Sequence, residues 1–315
     1  MTAPLVSILI PCFNGARFIG ETLESALAQT WPHLELIVVD DGSEDGSVRV
    51  IERFKSRNVE LIRQRNSGQT VALNVCLAHA KGDFIQYLDS DDLISPTKIE
   101  LQVARLVQAP KAVATAEWGR FKKFYPEAKF VKDRSWTDLD PLDWLHANMQ
   151  RDGGMMFPAM WLIPSEIARR VGPWNESLTL NNDAEYFTRV VLSSERVLFC
   201  QGAQAYYRSG NLESLSALKT SKAWASQFKV IELCQEYILS VEPSQRMSVS
   251  FAYAWQRLAH SSYPYDPGLA NLALERADQL YPVRAPVSGG PKFQAVAKII
   301  GWRAARKIQV WAGRK

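Results

Sequence analysis

Short runs of apolar or β-branched residues recur about every 25 residues in the first third of the chain, and segments with helical periodicity separate them. The apolar runs are residues 5–10, 34–39, 59–64 and 83–88. The helical patterns cover residues 18–29, 47–56, 68–80 and the stretch from Pro96 to about Val107. Strands that alternate with helices of this length predict βαβ units and a parallel sheet. The first two strands are continuously apolar, so we expect helices to cover both of their faces.

The alternation weakens beyond residue 107. Residues 112–165 contain short strand-like pieces, residues 183–193 have a helical pattern, and residues 196–208 resemble a strand and turn. From about 219 to 312 helical patterns dominate, interrupted by prolines. The composition, with 47% apolar and 22% charged residues, is that of an ordinary soluble globular protein. No apolar run approaches about 18 residues, so we expect no membrane-spanning helix.

Cysteine and histidine give no sign of a metal cluster. Each type occurs four times, in isolated positions, without a C-x-x-C pair. A reduced, cytoplasmic setting is the simplest interpretation, and no basic segment of a signal peptide precedes the first apolar run. Metal chemistry in this chain would therefore depend on carboxylates.

Polar turns follow all four predicted strands. They are "PCFNG" (11–15), "DDGSEDGS" (40–47), "RNSGQT" (65–70) and "DSDD" (89–92). Any one of them could be only a turn or a helix cap, since Asp, Asn, Gly and Ser are common there. A parallel sheet, however, brings all four to the edge where ligands bind. The chain has neither G-x-G-x-x-G nor G-x-x-x-x-G-K-[ST], so a bound diphosphate would need another countercharge, such as a divalent cation held by Asp89 or Asp91.

The order of these motifs resembles glycosyltransferase family 2, inverting nucleotide-sugar enzymes of the GT-A fold. The matching segments are residues 7–14, 24–47, 65–92, 182–190 and 207–216. The resemblance implies an α/β fold with an open, mainly parallel sheet flanked by helices and a helical C-terminal extension. It divides the chain into a GT-A domain at 1–218 and a helical region at 219–315. Within the first, the nucleotide-binding front would cover about 1–107 and the acceptor side about 108–218.

The resemblance also implies roles for individual residues. Those expected around the nucleotide are Pro11, Phe13, Asn14, Asp40, Asp41 and Gly68. Asp91 would ligate a divalent cation, Mn²⁺ or Mg²⁺, and Asp89 would contact the ribose or a water on that cation. Asp183 would be the general base, with Glu185 as a rival base or acceptor contact.

The sequence departs from the family pattern at three positions. Asn182 stands where relatives carry Glu, Leu73 where many carry Arg, and Gly210 where many carry His. The last change removes a candidate metal or diphosphate contact, which Arg208 could offset.

The implied function is transfer of a sugar from a nucleotide-diphospho-sugar, with a UDP-sugar favoured, to a hydroxyl of a glycan or lipid-linked acceptor. Polysaccharide or glycoconjugate biosynthesis is the expected setting. The alternative is a non-catalytic nucleotide-sugar-binding or scaffold protein of the same fold. A set of large residues at 155–174 could form an apolar or sugar-stacking acceptor wall, although core packing is the better interpretation. These residues are Met155, Met156, Phe157, Met160, Trp161 and Trp174.

The C-terminal residues 292–315 carry seven Lys or Arg and no Asp or Glu. A single helix predicted from Phe293 to Ala312 would place one apolar stripe on one face. The stripe comprises Phe293, Ala297, Ile300, Ala304, Ile308 and Trp311. Such a helix could lie on an anionic membrane, at its inner face, or dock on the protein body. No aromatic-basic recognition motif accompanies the charge, so we expect no nucleic-acid partner.

Overall fold

A computed structural model describes residues 3–55, 58–150, 154–211, 218–282, 287 and 290–313. The strands in these ranges are β1 (Val6–Cys12), β2 (Leu34–Asp40), β3 (Val59–Arg63), β4 (Phe84–Tyr87), β5 (Leu93–Ile94), β6 (Ala112–Phe121), β7 (Lys129–Phe130), β8 (Ile163–Pro164) and β9 (Arg196–Arg208). The first helices are α1 (Ile19–Leu27), α2 (Ser47–Glu52), α3 (Gln69–His79), α4 (Lys98–Leu106), α5 (Pro141–Asn148), α6 (Ser165–Val171) and α7 (Asn182–Leu192). The C-terminal helices are α8 (Ser221–Val241), α9 (Gln245–Ser262), α10 (Pro267–Leu280), α11 (Pro291–Ile300) and α12 (Trp302–Gly313).

The four predicted strands form one sheet, as the sequence indicated. Its order is β3-β2-β1-β4-β8, and every pair among β3, β2, β1 and β4 is parallel. The short strand β8 adds to β4 in the antiparallel direction. All seven residues of β1 are buried, which confirms the prediction that its two faces are covered. This arrangement brings the turns after β1, β2 and β4 to one edge.

A second sheet, of order β5-β9-β6-β7, was not predicted. Its long pair β6 and β9 runs parallel, with a bulge between Ala116 and Glu117. The two-residue strand β5 pairs with β9 directly after the aspartates of "DSDD". The sequence indicated strand-like segments at β6 and β9 but not their pairing, and β5 is too short to show any periodicity. The pairing places the aspartate turn at the junction of the two sheets.

The large residues at 155–174 belong mainly to the core. Phe157, Met160, Trp161 and Trp174 are each at most 1% exposed, so a sugar-stacking role for these four is wrong. Trp174 stacks on Tyr186 of α7 at 4.1 Å, and Trp161 stacks on Phe187 at 5.0 Å. Met155, in contrast, is half-buried. These contacts fix α7 against the first sheet.

The prediction of one continuous C-terminal helix is wrong. Helix α11 ends at Ile300, and Gly301 adopts a left-handed φ of 79° that cannot continue a right-handed helix. The second piece, α12, packs Trp302 against His260 and Tyr263 of the helical region. Within the described residues, no helix has both the length and the apolar character needed to cross a bilayer. Arg314, Lys315 and residues 212–216 of the last matching segment lie outside the described residues.

Candidate active site

The loops after β1 and β2 are tied together by hydrogen bonds. The backbone N–H of Asn14 donates to Ser43 Oγ at 2.9 Å, and the side-chain oxygen of Asn14 accepts from Glu44 N at 2.9 Å. Asn14 has a positive φ of 50°, an arrangement that Asn tolerates better than most residues. Pro11 is buried at the end of β1, whereas the ring of Phe13 is 50% exposed. The loop therefore presents the Phe13 ring to solvent from a fixed backbone.

The two aspartates after β2 have different environments. Both oxygens of Asp41 are occupied, because they accept from Ser67 N and Gly68 N at 2.8 Å and from Gln64 Nε2 at 2.7 Å. Asp40 is also buried, but its Oδ1 accepts no hydrogen bond from the described residues. A buried acceptor without a partner is costly. Asp41 thus shapes the turn around Gly68, while Asp40 carries one buried carboxylate oxygen without a hydrogen-bond partner among the described residues.

Arg208 holds the "DSDD" turn in place. Its backbone N–H donates to Asp92 Oδ1 at 2.8 Å, and its Nε donates to the carbonyl of Asp91 at 2.7 Å. The guanidinium lies between the rings of Phe18 and Phe121, 4.6 and 4.5 Å from their centroids. A further bond to Glu21 Oε2 at 2.6 Å occupies Nη2. These bonds hold the Nε and Nη2 of Arg208 at the turn, where its charge faces Asp91.

The carboxylates of this turn lie in an unfavourable electrostatic environment. Burial, followed by repulsion from Asp91 and Asp183, raises the pKa of Asp89 to about 7. Burial also raises the pKa of Asp91, against the opposing charge of Arg208. The pKa of Asp92 is raised well above its usual range, first by burial and then by its two neighbours. A cation near Asp89 and Asp91 would relieve this repulsion.

The protein offers few ligands for such a cation. Among the described residues, no group of three His, Cys, Asp or Glu side chains converges as a metal site. Asp89 and Asp91 therefore fit a cation only if water or a bound substrate supplies the remaining ligands. Oxygen donors of this kind suit Mg²⁺ and Mn²⁺.

Helix α7 brings Asp183 to the same place. Asp183 lies close enough to repel the charge of Asp89, and burial raises its own pKa to about 6. Glu185 instead forms a buried ion pair with Arg189 at 2.8 Å and accepts from the hydroxyl of Tyr237 at 3.1 Å. Glu185 is thus part of the packing between α7 and α8. The geometry favours Asp183 over Glu185 as a group that can accept a proton.

Gln69, at the start of α3, links the aspartate turn to α7. Its Nε2 donates to Asp89 Oδ1 at 2.9 Å, and its Oε1 accepts from Asn182 Nδ2 at 3.4 Å. Gln69 lies in the polar turn "RNSGQT", but that pattern alone indicates no role for its side chain. The sequence had marked Asn182 only as a departure from the family pattern. In the structure Asn182 is the partner of Gln69.

Comparison with known proteins places this site in context. The family model described as "Glycosyl transferase family 2" matches residues 7–169. An uncharacterized glycosyltransferase of Rickettsia typhi is 31% identical over 215 residues, which cover 62% of this chain and 64% of the relative. The chain thus spans just under two thirds of that relative's length.

Two solved structures share the fold. The solved chain TarS 1–349 of S. aureus, in complex with UDP, aligns with a TM-score of 0.64 at 16% identity, over 98% of this chain and 92% of the solved chain. The mannosyltransferase PcManGT of Pyrobaculum calidifontis, solved with GDP-Man and Mn²⁺, aligns with a TM-score of 0.56 at 17% identity. That alignment covers 99% of this chain and 85% of PcManGT. At these identities the likeness shows the GT-A type fold.

Proposed function

The chain belongs to glycosyltransferase family 2, and we propose that it transfers a sugar from a nucleotide-diphospho-sugar to an acceptor hydroxyl with inversion at the anomeric carbon. The observation that carries the proposal is the proximity of Asp89, in the turn after β4, to the start of α7 with Asp183, which the hydrogen bonds of Gln69 to Asp89 and to Asn182 link. Inverting transfer needs positive charge where the diphosphate leaves and one carboxylate to deprotonate the acceptor. Asp89 and Asp91 could hold a cation at the diphosphate, and Asp183 could deprotonate the acceptor.

The nucleoside would lie along the edge formed by the loops after β1 and β2. Phe13 offers an exposed ring for the base, and the unpartnered Oδ1 of Asp40 suits a ribose or base donor. Asp41 acts indirectly, by holding Gly68 N close to the nucleotide. We propose a UDP-sugar as donor, supported by the UDP complex of TarS, which shares the fold.

A divalent cation, Mn²⁺ or Mg²⁺, would be held by Asp91, with Asp89 as its companion. When bound, it supplies Lewis-acid stabilisation of the charge that develops on the leaving diphosphate. The Mn²⁺ in the complex of PcManGT supports this assignment. The side chain of Asn211 bonds Asp91, and Gln69 bonds Asp89, so both carboxylates are oriented by neighbouring amides.

Asp183 would accept the proton of the acceptor hydroxyl. Its Oδ1 accepts from Ala184 N at 2.8 Å, which leaves Oδ2 for the acceptor. Its pKa of about 6 allows it to be ionised near neutral pH and still basic enough to take a proton. A single base suffices, because inversion proceeds by one displacement.

Calorimetry with UDP tests the donor and cation assignments. We expect wild-type protein to bind UDP in the presence of Mn²⁺ and to lose at least tenfold in affinity when EDTA replaces the metal. Asp91→Ala should show the same loss with Mn²⁺ present. Glu166→Gln is the matched control, because Glu166 is an exposed carboxylate on α6, where its side chain is 87% exposed. Metal-independent binding that Asp91→Ala leaves unchanged would refute the cation assignment.

We further propose that the acceptor is a glycan or a lipid-linked sugar in polysaccharide or glycoconjugate assembly. We also propose that residues 1–218 form the transferase domain and that residues 219–315 form a helical region. Helices α11 and α12 would contact an anionic membrane, because they expose Ile299 (84%) and Trp311 (64%) beside basic residues. The basic residues described there are Lys292, Lys298, Arg303, Arg306 and Lys307.

Vesicle sedimentation tests the membrane contact. We expect binding to phosphatidylglycerol vesicles that weakens with salt, and little binding to phosphatidylcholine vesicles. Ile299→Asp should reduce the binding, and Lys132→Glu, at an exposed lysine in the loop after β7, should leave it unchanged. Equal sedimentation of Ile299→Asp and wild type would contradict this contact.

A further inference from the structure

One face of the second sheet carries an aromatic surface with a cation on it. Arg120 of β6 pairs in register with Tyr207 of β9, and its guanidinium lies 5.1 Å from the centroid of Tyr207 and 5.5 Å from that of Trp118. Arg120 Nη2 also lies 3.2 Å from the sulfur of Met155. Phe157 supports the two aromatic rings from below, with edge contacts at 6.3 Å to Trp118 and 5.4 Å to Tyr207. We call Trp118, Arg120, Met155 and Tyr207 the β6–β9 platform.

The platform lies on the face of the second sheet opposite the side chain of Arg208. Side chains of successive strand residues point to opposite faces of a sheet, so the side chains of Tyr207 and Arg208 lie on opposite faces of the second sheet. Arg208 points toward the aspartate turn, as its bond to the carbonyl of Asp91 shows. The segment beneath the platform continues from Phe157 to Trp161, which stacks on Phe187 of α7, the helix that begins beside Asp183. The platform and helix α7, which carries the proposed base near its start, thus pack on one shared segment, residues 157–161.

Arg120 is available to bind an anion. It is exposed, while Trp118, Met155 and Tyr207 are half-buried. Among the described residues, the guanidinium of Arg120 forms no ion pair with a carboxylate. It contacts the rings of Trp118 and Tyr207 and the sulfur of Met155. A guanidinium placed over aromatic rings keeps N–H donors for a bidentate bond to carboxylate or phosphate. Lys122 and Lys123, which directly follow β6, add further positive charge.

We propose that the β6–β9 platform binds the acceptor, and that Arg120 recognises a negatively charged group on it. The acceptor class is therefore a glycan that bears a carboxylate or a phosphate, with a sugar ring packed on Trp118 or Tyr207. This inference rests on the proposed sugar transfer and specifies its acceptor. Arg120 is a specificity residue, because it binds a group remote from the attacking hydroxyl.

The test uses calorimetry with three simple sugars on protein already saturated with UDP and Mn²⁺, so that the donor site is filled. The probes are glucuronate, glucose 6-phosphate and uncharged glucose, and the two anions separate carboxylate from phosphate recognition. We expect wild type to bind one anionic sugar at least tenfold more tightly than glucose. Arg120→Gln should abolish that preference, and Arg120→Lys should retain part of it. The control is Arg134→Gln, which removes the same charge from an exposed loop residue.

UDP affinity separates this proposal from the proposed function. We expect Arg120→Gln to bind UDP as wild type does, since the platform lies away from the face of Arg208. A weaker UDP affinity in Arg120→Gln would overturn the proposal by assigning Arg120 to the donor. Equal binding of all three sugars by wild type, or an unchanged preference in Arg120→Gln, would also overturn it. If wild type fails to bind UDP, the donor assignment fails, and the sugar comparison without nucleotide still tests the platform.

Discussion

Gln69 Nε2 donates a hydrogen bond to Asp89 Oδ1 at 2.9 Å, across 20 residues of sequence. The other end of the same amide accepts from Asn182, the residue next to Asp183. One side chain at the start of α3 therefore connects the carboxylates of the proposed donor site with the helix that carries the proposed base. Gln69 contacts neither the sugar nor the acceptor in this account, and its role is to position both groups.

Replacement of Gln69 should weaken both functions of the site. Gln69→Met keeps the length of the side chain and removes both hydrogen bonds, so we expect kcat/KM to fall about 10- to 100-fold, corresponding to about 1–3 kcal/mol for unsatisfied buried groups. Gln69→Glu should be worse, because it adds a carboxylate next to Asp89. Steady-state kinetics and UDP affinity measure the effect, with the exposed Gln108→Met as control. Wild-type kinetics in Gln69→Met would show that the link has no positioning role.

Loss of the proposed base should affect turnover and spare donor binding. We expect Asp183→Asn to lower kcat by about 10²- to 10⁴-fold, the usual contribution of general base catalysis, with little change in the dissociation constant of UDP. The measurement is sugar transfer at saturating donor. A variant with unchanged kcat would remove Asp183 from the mechanism.

The raised pKa of Asp183 predicts a pH dependence. The base must be ionised to accept a proton, and its pKa is about 6. The rate should therefore fall about tenfold for each pH unit below 6 and level off above it. A pH–rate profile of the wild type between pH 4.5 and 8 tests this. An acidic limb centred near pH 4 would indicate an unperturbed carboxylate as the base.

Arg208 should matter for stability and for the donor site together. Arg208→Met removes a bond to the Asp91 carbonyl and the contacts with Phe18 and Phe121, so we expect a loss of about 1–3 kcal/mol in the free energy of unfolding. The ion pair with Glu21 adds little, because the Glu21 side chain is 61% exposed. Urea denaturation and UDP–Mn²⁺ calorimetry measure the two effects. A destabilised variant with unchanged UDP affinity would limit Arg208 to a structural role.

The lowered pKa of Lys98 predicts how the free energy of unfolding varies at alkaline pH. Its side chain is fully buried, and its Nζ contacts Gln86, Gln102 and the Trp161 carbonyl. Burial lowers the pKa of Lys98 from 10.5 to about 7. Between these values the unfolded chain binds more protons than the folded one, so the free energy of unfolding should rise with pH.

Lys98→Met removes this contribution. The stability of wild type relative to the variant should therefore increase from pH 7 to pH 10, as measured by urea denaturation at several pH values. The exposed Lys132→Met is the control. A difference that stays constant with pH would show that Lys98 keeps its ordinary pKa in the folded protein.

The sequence predicted the first sheet well and the candidate active site at its edge only in part. Strands β1 and β2 were visible because each is a seven-residue, mainly apolar run, and the shorter β3 and β4 were visible because they recur at the same spacing between helical patterns. The bonds of Asp41 to Gly68 and of Gln69 to Asp89 were not visible, since they join residues that periodicity treats separately. The break at Gly301 was missed because the apolar spacing continues across it, although one left-handed residue ends the helix. The burial of Phe157 likewise depends on the second sheet, because its ring packs against Trp118 and Tyr207 of that sheet.

The most direct test of the account is the release of nucleoside diphosphate from a panel of nucleotide-sugars, with and without Mn²⁺, in wild type and in Asp183→Asn. We predict metal-dependent release from at least one UDP-sugar by the wild type. Asp183→Asn should release the diphosphate at least 100-fold more slowly and still bind UDP. Release at the same rate by both proteins, or tight UDP binding by a wild type that turns over no nucleotide-sugar, would contradict the account.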